Sequence, residues 1–161
     1  MDCVSEPGPR FREVVLAALR ETDILFVNEF EIGQVIGREV AADQDAMVGA
    51  ALELASEGIR SDGQIVLHAA TGVVVIRGDG SRVAHGSVLL PDSEIGGATG
   101  AGDAFAAGYL LGFHAAAGVE ECLRNGVCAA AMSLADPTPS GGMRSQRECL
   151  ELGDRYGFRD F

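Results

Sequence analysis

The sequence has no tryptophan, aromatic residues make up only 6% of it, and Lys and Arg number 12 against 24 Asp and Glu. Each shortage excludes something. A net charge of −12 with no run of Lys or Arg leaves no footprint for a nucleic-acid backbone or an anionic membrane surface. No stretch of about 18 apolar residues is present to span a bilayer. The opening MDCVSEPGPR carries an early acid and two prolines where a signal peptide needs a basic start and an apolar run. The four cysteines, Cys3, Cys122, Cys128 and Cys149, form no C-x-x-C pair, and none stands beside a histidine at metal-ligand spacing. They read as reduced thiols of a cytoplasmic protein. What is present is small and apolar: 47% hydrophobic residues and 22 glycines in a chain of 161. That suffices for one domain with a core and suits close helix–strand packing.

Periodicity orders the chain. Phe11, Val14, Val15, Ala18 and Leu19 recur as one face of a short helix. Residues 23–27 are an acid followed by an apolar run, the pattern of a buried parallel strand, which ends at Asn28-Glu29-Phe30-Glu31. Ile32, Val35 and Ile36 predict a helix closed by Gly37. Asp43 can cap a second helix whose inner stripe is Met47, Ala50, Ala51, Leu54 and Ala55, stopped by Gly58. Residues 64–69 read as another buried strand, and 73–76 with 82–85 as a hairpin about Gly78-Asp79-Gly80. A short apolar piece at 88–90 runs into Pro91 and a loop at 92–102. An Ala-rich helix from about Asp103 follows, then a helix over 120–134, a loop over 136–142 and a last helix over 146–156. The alternation predicts an α/β fold, a mostly parallel sheet with helices on its faces.

Residues 96–108 carry the chemistry. They are not a P-loop, which needs a Lys that is missing here, and Phe105 occupies the third glycine position of a dinucleotide fingerprint. What remains is a small-residue turn, Gly100-Ala101-Gly102, entering a helix near Asp103. Backbone N–H groups and the helix N-terminus there can face an anion. Asp103 itself has two readings: an ordinary N-cap, or a general base beside a phosphoryl group in transit.

Thr99-Gly100-Ala101-Gly102-Asp103-Ala104-Phe105 resembles the second signature of the PfkB (ribokinase-like) carbohydrate kinases, and Asn28-Glu29-Phe30-Glu31 resembles that family's N-x-x-E motif. The resemblance covers the whole chain, residues 1–161, as the C-terminal portion of a family domain. It implies a three-layer α/β/α, ribokinase-like fold and ATP-dependent phosphoryl transfer to a sugar hydroxyl, with ATP and the sugar as small-molecule partners. By it, Asp103 takes the proton of the attacking hydroxyl. Gly100, Ala101 and Gly102 form the anion hole, and Asn28 and Glu31 help place Mg²⁺ through water. Taken alone, Asn28 and Glu31 are equally a strand-ending turn with a first-turn acid. By the resemblance, the family's adenine pocket maps to Ala69 to Gly72 and to the stretch around Asn125 to Ala129, with Asn125 also open to reading as a solvated helix position.

The departures are informative. Gly97 and Ala98 stand where the family has an acid and a hydroxyl residue, so the resemblance does not carry a monovalent-cation site over to this chain. His68, with no Asp or Ser partner at a recognisable spacing, reads as a strand-end packing residue. The family's first Gly-Gly signature, most of its sugar contacts and its lid have no counterpart, and residues 1–4 read as the tail of a strand. Two functional expectations follow: a truncated part of a sugar kinase, or a non-catalytic nucleotide-binding or assembly remnant of one. In either case strand 24–27 and the stripe of Phe11, Val15 and Leu19 are expected to be uncovered, favouring homo-oligomers or association through an exposed sheet edge.

Overall fold

The structure, a computed structural model, describes residues 9–161; the strand tail expected at residues 1–4, with Cys3, lies outside them. The chain divides into two compact units, Met1–Ala84 and His85–Phe161.

In the first unit α1 (Pro9–Leu19) leads to β1 (Ile24–Asn28), α2 (Glu29–Ile36), α3 (Gln44–Ser56), β2 (Gln64–His68) and β3 (Gly72–Arg77). With β4 (Arg82–Gly86), which runs across residue 84, these strands form one sheet of order β1-β2-β3-β4. β1 and β2 are parallel, joined through α2 and α3, with Ile24 opposite Gln64 and Asn28 opposite His68. β2 and β3 are antiparallel. The sheet is therefore mixed rather than mostly parallel: after β2 the chain turns back within three residues, too few for the helical crossover a parallel partner needs. Leu25, Val27, Ile65, Val66, Leu67 and Val74 are fully buried, as strands covered on both faces require.

The helices follow their sequence signals closely. The Ala46 N–H donates to Asp43 Oδ1 at 2.9 Å, capping α3, and Met47, Ala50, Ala51 and Leu54 are fully buried. Gly37, at φ +80°, closes α2 in the left-handed conformation that a side chain disfavours. Two expectations about α1 and β1 fail. Val14 is 54% exposed, so the buried stripe is Phe11, Val15 and Leu19, spaced by four. That stripe and residues 24–27 are not uncovered but buried, with α1 packed on α2 and Arg12 Nε donating to the Val35 carbonyl at 2.7 Å. Their burial removes them as the apolar surface through which copies were expected to associate.

The second unit is helical. After a 3₁₀ turn at Asp92–Glu94 come α4 (Ala101–His114), α5 (Val119–Ser133) and α6 (Gln146–Tyr156), with α5 packed against both others. The apolar piece at 88–90 makes only a single antiparallel bridge, Val88 with Phe158. The α4–α5 seam is close. A Cβ on Gly108 would stand 2.6 Å from the Asn125 carbonyl oxygen, and one on Gly126 2.7 Å from the Phe105 ring. Arg124 of α5 pairs with Asp154 of α6, and Ser145 and Glu148 form a capping box at the start of α6. No described helix is long and apolar enough to cross a membrane.

Cys122, Cys128 and Cys149 are free and buried. Burial pushes all three thiols up, Cys128 to about 11. In a Cys3→Ser background the three are expected to resist a thiol reagent at pH 8 until denaturant unfolds the chain; rapid labelling of the native protein would show them accessible. The native state favours the neutral thiol. The stability this confers is complete below the free-thiol value of about 8.5 and is lost as pH rises towards the native Cys128 value of about 11.

Candidate active site

The entry to α4 is built from residues that leave the backbone bare. Gly100 is the N-cap, at φ +84° and ψ 1°, and no side chain caps the helix. The Ala101 N–H donates to the Ala98 carbonyl at 3.3 Å, and the first α-type bond runs from the Ala104 N–H to the Gly100 carbonyl at 2.9 Å. Between them, the N–H groups of Gly102 and Asp103 belong to the first turn, where no helical acceptor exists. α4 starts two residues before the expected position, so Asp103 is its third residue and not its cap. The Asp103 side chain is exposed and makes no hydrogen bond or ion pair among the described residues. A small-residue turn, two open donors and an uncommitted carboxylate therefore occupy one helical turn, and the positive end of the α4 dipole adds to the attraction for an anion.

A second loop holds this turn. The N–H groups of Gly96 and Gly97 both donate to the Leu134 carbonyl, at 2.7 and 3.2 Å. A Cβ on Gly97 would lie 2.8 Å from Pro137 Cα, and one on Gly100 2.7 Å from the Pro139 carbonyl oxygen. Pro137 and Pro139 are themselves placed by a local turn: Asp136 Oδ1 accepts from the Thr138 N–H at 2.8 Å and from its hydroxyl, which holds the Asp136 carboxyl below its usual range. An acid at position 97, the residue type that the family resemblance links to a monovalent cation, has no room against Pro137.

Asn125 is not a solvated helix position. It is 4% exposed on α5, facing the seam with α4. It helps line a cavity of about 220 Å³ with Ala107, Gly108 and Leu111 of α4, Ala129 of α5 and Cys149 of α6. That is below the roughly 300–1,000 Å³ of whole-ligand pockets and suits one ring system. Asn125 Oδ1 accepts from Gln146 Nε2 at 3.1 Å, while Asn125 Nδ2 is buried without a hydrogen-bond partner. The turn at Gly100 and this cavity share α4: Gly108 lies five residues beyond Asp103.

The remaining candidates lie in the first unit. Asn28 is both the last residue of β1 and the N-cap of α2. Its Oδ1 accepts from the Glu31 N–H at 2.8 Å, and Glu31 Oε2 accepts from the Asn28 N–H at 2.9 Å, a reciprocal capping box. Glu31 is 5% exposed. Because Asn28 pairs with His68, the ends of the two parallel strands lie side by side. The Ala69–Gly72 turn follows directly, closed by the Ala69 N–H to the Gly72 carbonyl at 2.8 Å. Thr71 Oγ1 fastens it by donating to the Ala42 carbonyl at 2.6 Å. Ligands of open α/β sheets gather at such strand ends. No group of three or more His, Cys, Asp or Glu side chains able to hold a metal occurs among the described residues.

Gln146 was not legible as a site residue. Its neighbours Ser145 and Glu148 give the S-x-x-E signal for a helix start, but its partner stands 21 residues away on another helix.

Comparison with known proteins gives this geometry its context. The profile of the pfkB family carbohydrate kinases matches residues 1–144. The chain is 35% identical over 71 residues to the acarbose 7(IV)-phosphotransferase of Actinoplanes sp., covering 44% of this chain and 23% of that protein. It is 30% identical over 119 residues to a cytidine kinase of Thermococcus kodakarensis, covering 72% and 38%. Its fold matches the Arabidopsis thaliana ribokinase solved with ribose and ATP, with a TM-score of 0.75 at 22% identity over 94% of this chain and 46% of that one. The chain thus spans less than half the length of each of these proteins. Since the family profile covers nearly all of the sequence and the α/β fold is that of ribokinases, the chain belongs to the pfkB family of carbohydrate kinases.

Proposed function

We propose that residues 1–161 are the C-terminal, nucleotide-binding portion of a kinase that moves the γ-phosphoryl group of ATP to a sugar hydroxyl. The observation that carries this reading is the α4 entry, where two N–H groups without a hydrogen-bond partner among the described residues and an exposed carboxylate occupy one turn. Asp103 takes the proton of the attacking hydroxyl, whose oxygen forms the new bond to phosphorus as the bond to ADP breaks. The turn of Gly100, Ala101 and Gly102 holds the charge on the phosphoryl oxygens, with the N–H groups of Gly102 and Asp103 as its donors. Asn125 contacts the base in its cavity, and Ala69 and Gly72 contribute nucleotide contacts from their turn.

Mg²⁺, when bound, neutralises phosphate charge. Asn28 and Glu31 fit an ion held through water, because the carboxamide oxygen of Asn28 and Oε2 of Glu31 are already engaged in the capping box and Mg²⁺ ordinarily keeps several waters. The relatives named above act on or bind acarbose, cytidine and ribose, so the acceptor is assigned only as a hydroxyl of a sugar or sugar-bearing molecule. Buried reduced thiols suit a cytoplasmic setting.

Calorimetry of this chain with Mg·ATP, paired with an ADP-release assay over pentoses, hexoses and nucleosides on a complete kinase that contains it, tests the proposal. A dissociation constant in the range of roughly 1 µM–1 mM and ADP release that requires an acceptor are expected. Absence of ATP binding would overturn the assignment. ATP binding without transfer to any acceptor would replace it with the non-catalytic nucleotide-binding reading.

A further inference from the structure

We infer that Gln146, at the start of α6, is a positioning residue that sets which edge of a nucleobase the Asn125 cavity accepts. The inference rests on the proposed use of that cavity by the base of ATP.

A carboxamide offers one acceptor oxygen and one donor nitrogen. Gln146 Nε2 donates to Asn125 Oδ1 at 3.1 Å, so the acceptor of Asn125 is taken. What Asn125 has left is Nδ2, which is buried and unpartnered. It sits at the α4–α5 seam, where a Cβ on Gly112 would stand 3.1 Å from it. An unmade hydrogen bond of this kind destabilises the empty site, and the cost is recovered when an acceptor arrives. Of the remaining walls only Arg144 and the Cys149 thiol are polar, and the Arg144 guanidinium, which donates to the Gly141 and Met143 carbonyls, is like Asn125 Nδ2 a donor and not an acceptor. The complement is therefore a flat ring presenting a ring nitrogen as acceptor, as adenine and cytosine do. Gln146 and Asn125 both line the cavity but come from different helices, so the α5–α6 packing itself determines the polarity of the site.

The prediction is a reversal. Gln146→Glu replaces the donor with acceptors only, so Asn125 must turn its Nδ2 towards residue 146 and offer Oδ1 to the base. Binding of ATP is expected to weaken about tenfold, the equivalent of one good hydrogen bond. Binding of ITP, whose N1 carries a proton and donates, is expected to weaken less, so the ATP/ITP ratio falls. Gln146→Met, similar in length and without either polar group, frees the Asn125 amide to rotate and brings the ratio towards unity. Calorimetric dissociation constants for both nucleotides on wild type, both variants and Asn125→Leu decide the matter, with circular dichroism confirming that each variant is folded. A general loss of packing would weaken both nucleotides alike and leave the ratio fixed. That outcome overturns the inference, as does an unchanged ratio in both Gln146 variants while Asn125→Leu weakens binding. An Asn125→Leu protein that binds ATP like wild type removes the base from this cavity and overturns both the inference and the proposed Asn125–base contact, while the phosphoryl-transfer assignment stands.

Discussion

In a complete kinase that contains this portion, Asp103→Asn is expected to lower kcat for phosphoryl transfer by about 10²-fold or more while ATP affinity stays near that of the parent enzyme. A positioned general base contributes about 10²–10⁴ in rate, and the amide keeps the shape of the side chain without its proton affinity. The geometry makes this a sharp test. Asp103 is the third residue of α4, caps nothing, is exposed and makes no hydrogen bond or ion pair among the described residues. Its neutralisation removes only the attraction of an exposed first-turn charge to the helix dipole, worth about 0.3–1 kcal/mol, so stability changes little while the rate falls. Steady-state kinetics with a thermal melt of the same protein is the measurement. An unchanged kcat would leave the carboxylate as no more than a charge that the helix dipole favours.

Gly100→Ala is expected to be the most damaging single-methyl change at the site. The residue sits at φ +84°, where a Cβ costs roughly 1–2 kcal/mol. The added carbon would also stand 2.7 Å from the Pro139 carbonyl oxygen and 2.8 Å from Pro139 Cα, an overlap typically worth another 1–3 kcal/mol. Both atoms belong to backbone that is itself fixed, so the strain moves the turn and not a flexible side chain. A melting temperature lower by on the order of 10 °C is expected for a chain of this size, together with loss of ATP binding as the donors of Gly102 and Asp103 shift. Differential scanning calorimetry and nucleotide titration check both parts. A melting point within about 2 °C of the parent would show the 135–139 loop to be more yielding than its contacts indicate.

Much of this was readable from residues alone, for physical reasons that differ by element. The helix ending at Gly37 and the cap at Asp43 are local events, decided within a few residues, and they appear as read. The α4 entry was legible because small residues and an acid at fixed spacing have few other uses, although the cap fell on Gly100 and not Asp103. The antiparallel return from β2 to β3 was not legible, because Ala69, Ala70 and Thr71 lack the Asn-Gly or Asp-Gly chemistry that marks a hairpin. Nor was the burial of Phe11, Val15 and Leu19, which depends on α2 folding over them. Asn125 and Gln146 meet only through the packing of α5 on α6, which no local pattern encodes.

The close α4–α5 seam has a mechanical consequence. At Gly108 and Gly126 the two helices touch through backbone and ring, with no long side chains between them to flex. They behave as one stiff plate on the timescale of loop and side-chain motion. α6 is held to that plate both by close packing at Gly153, where a Cβ would stand 2.5 Å from Cys128 Sγ, and by the longer Arg124–Asp154 and Gln146–Asn125 links.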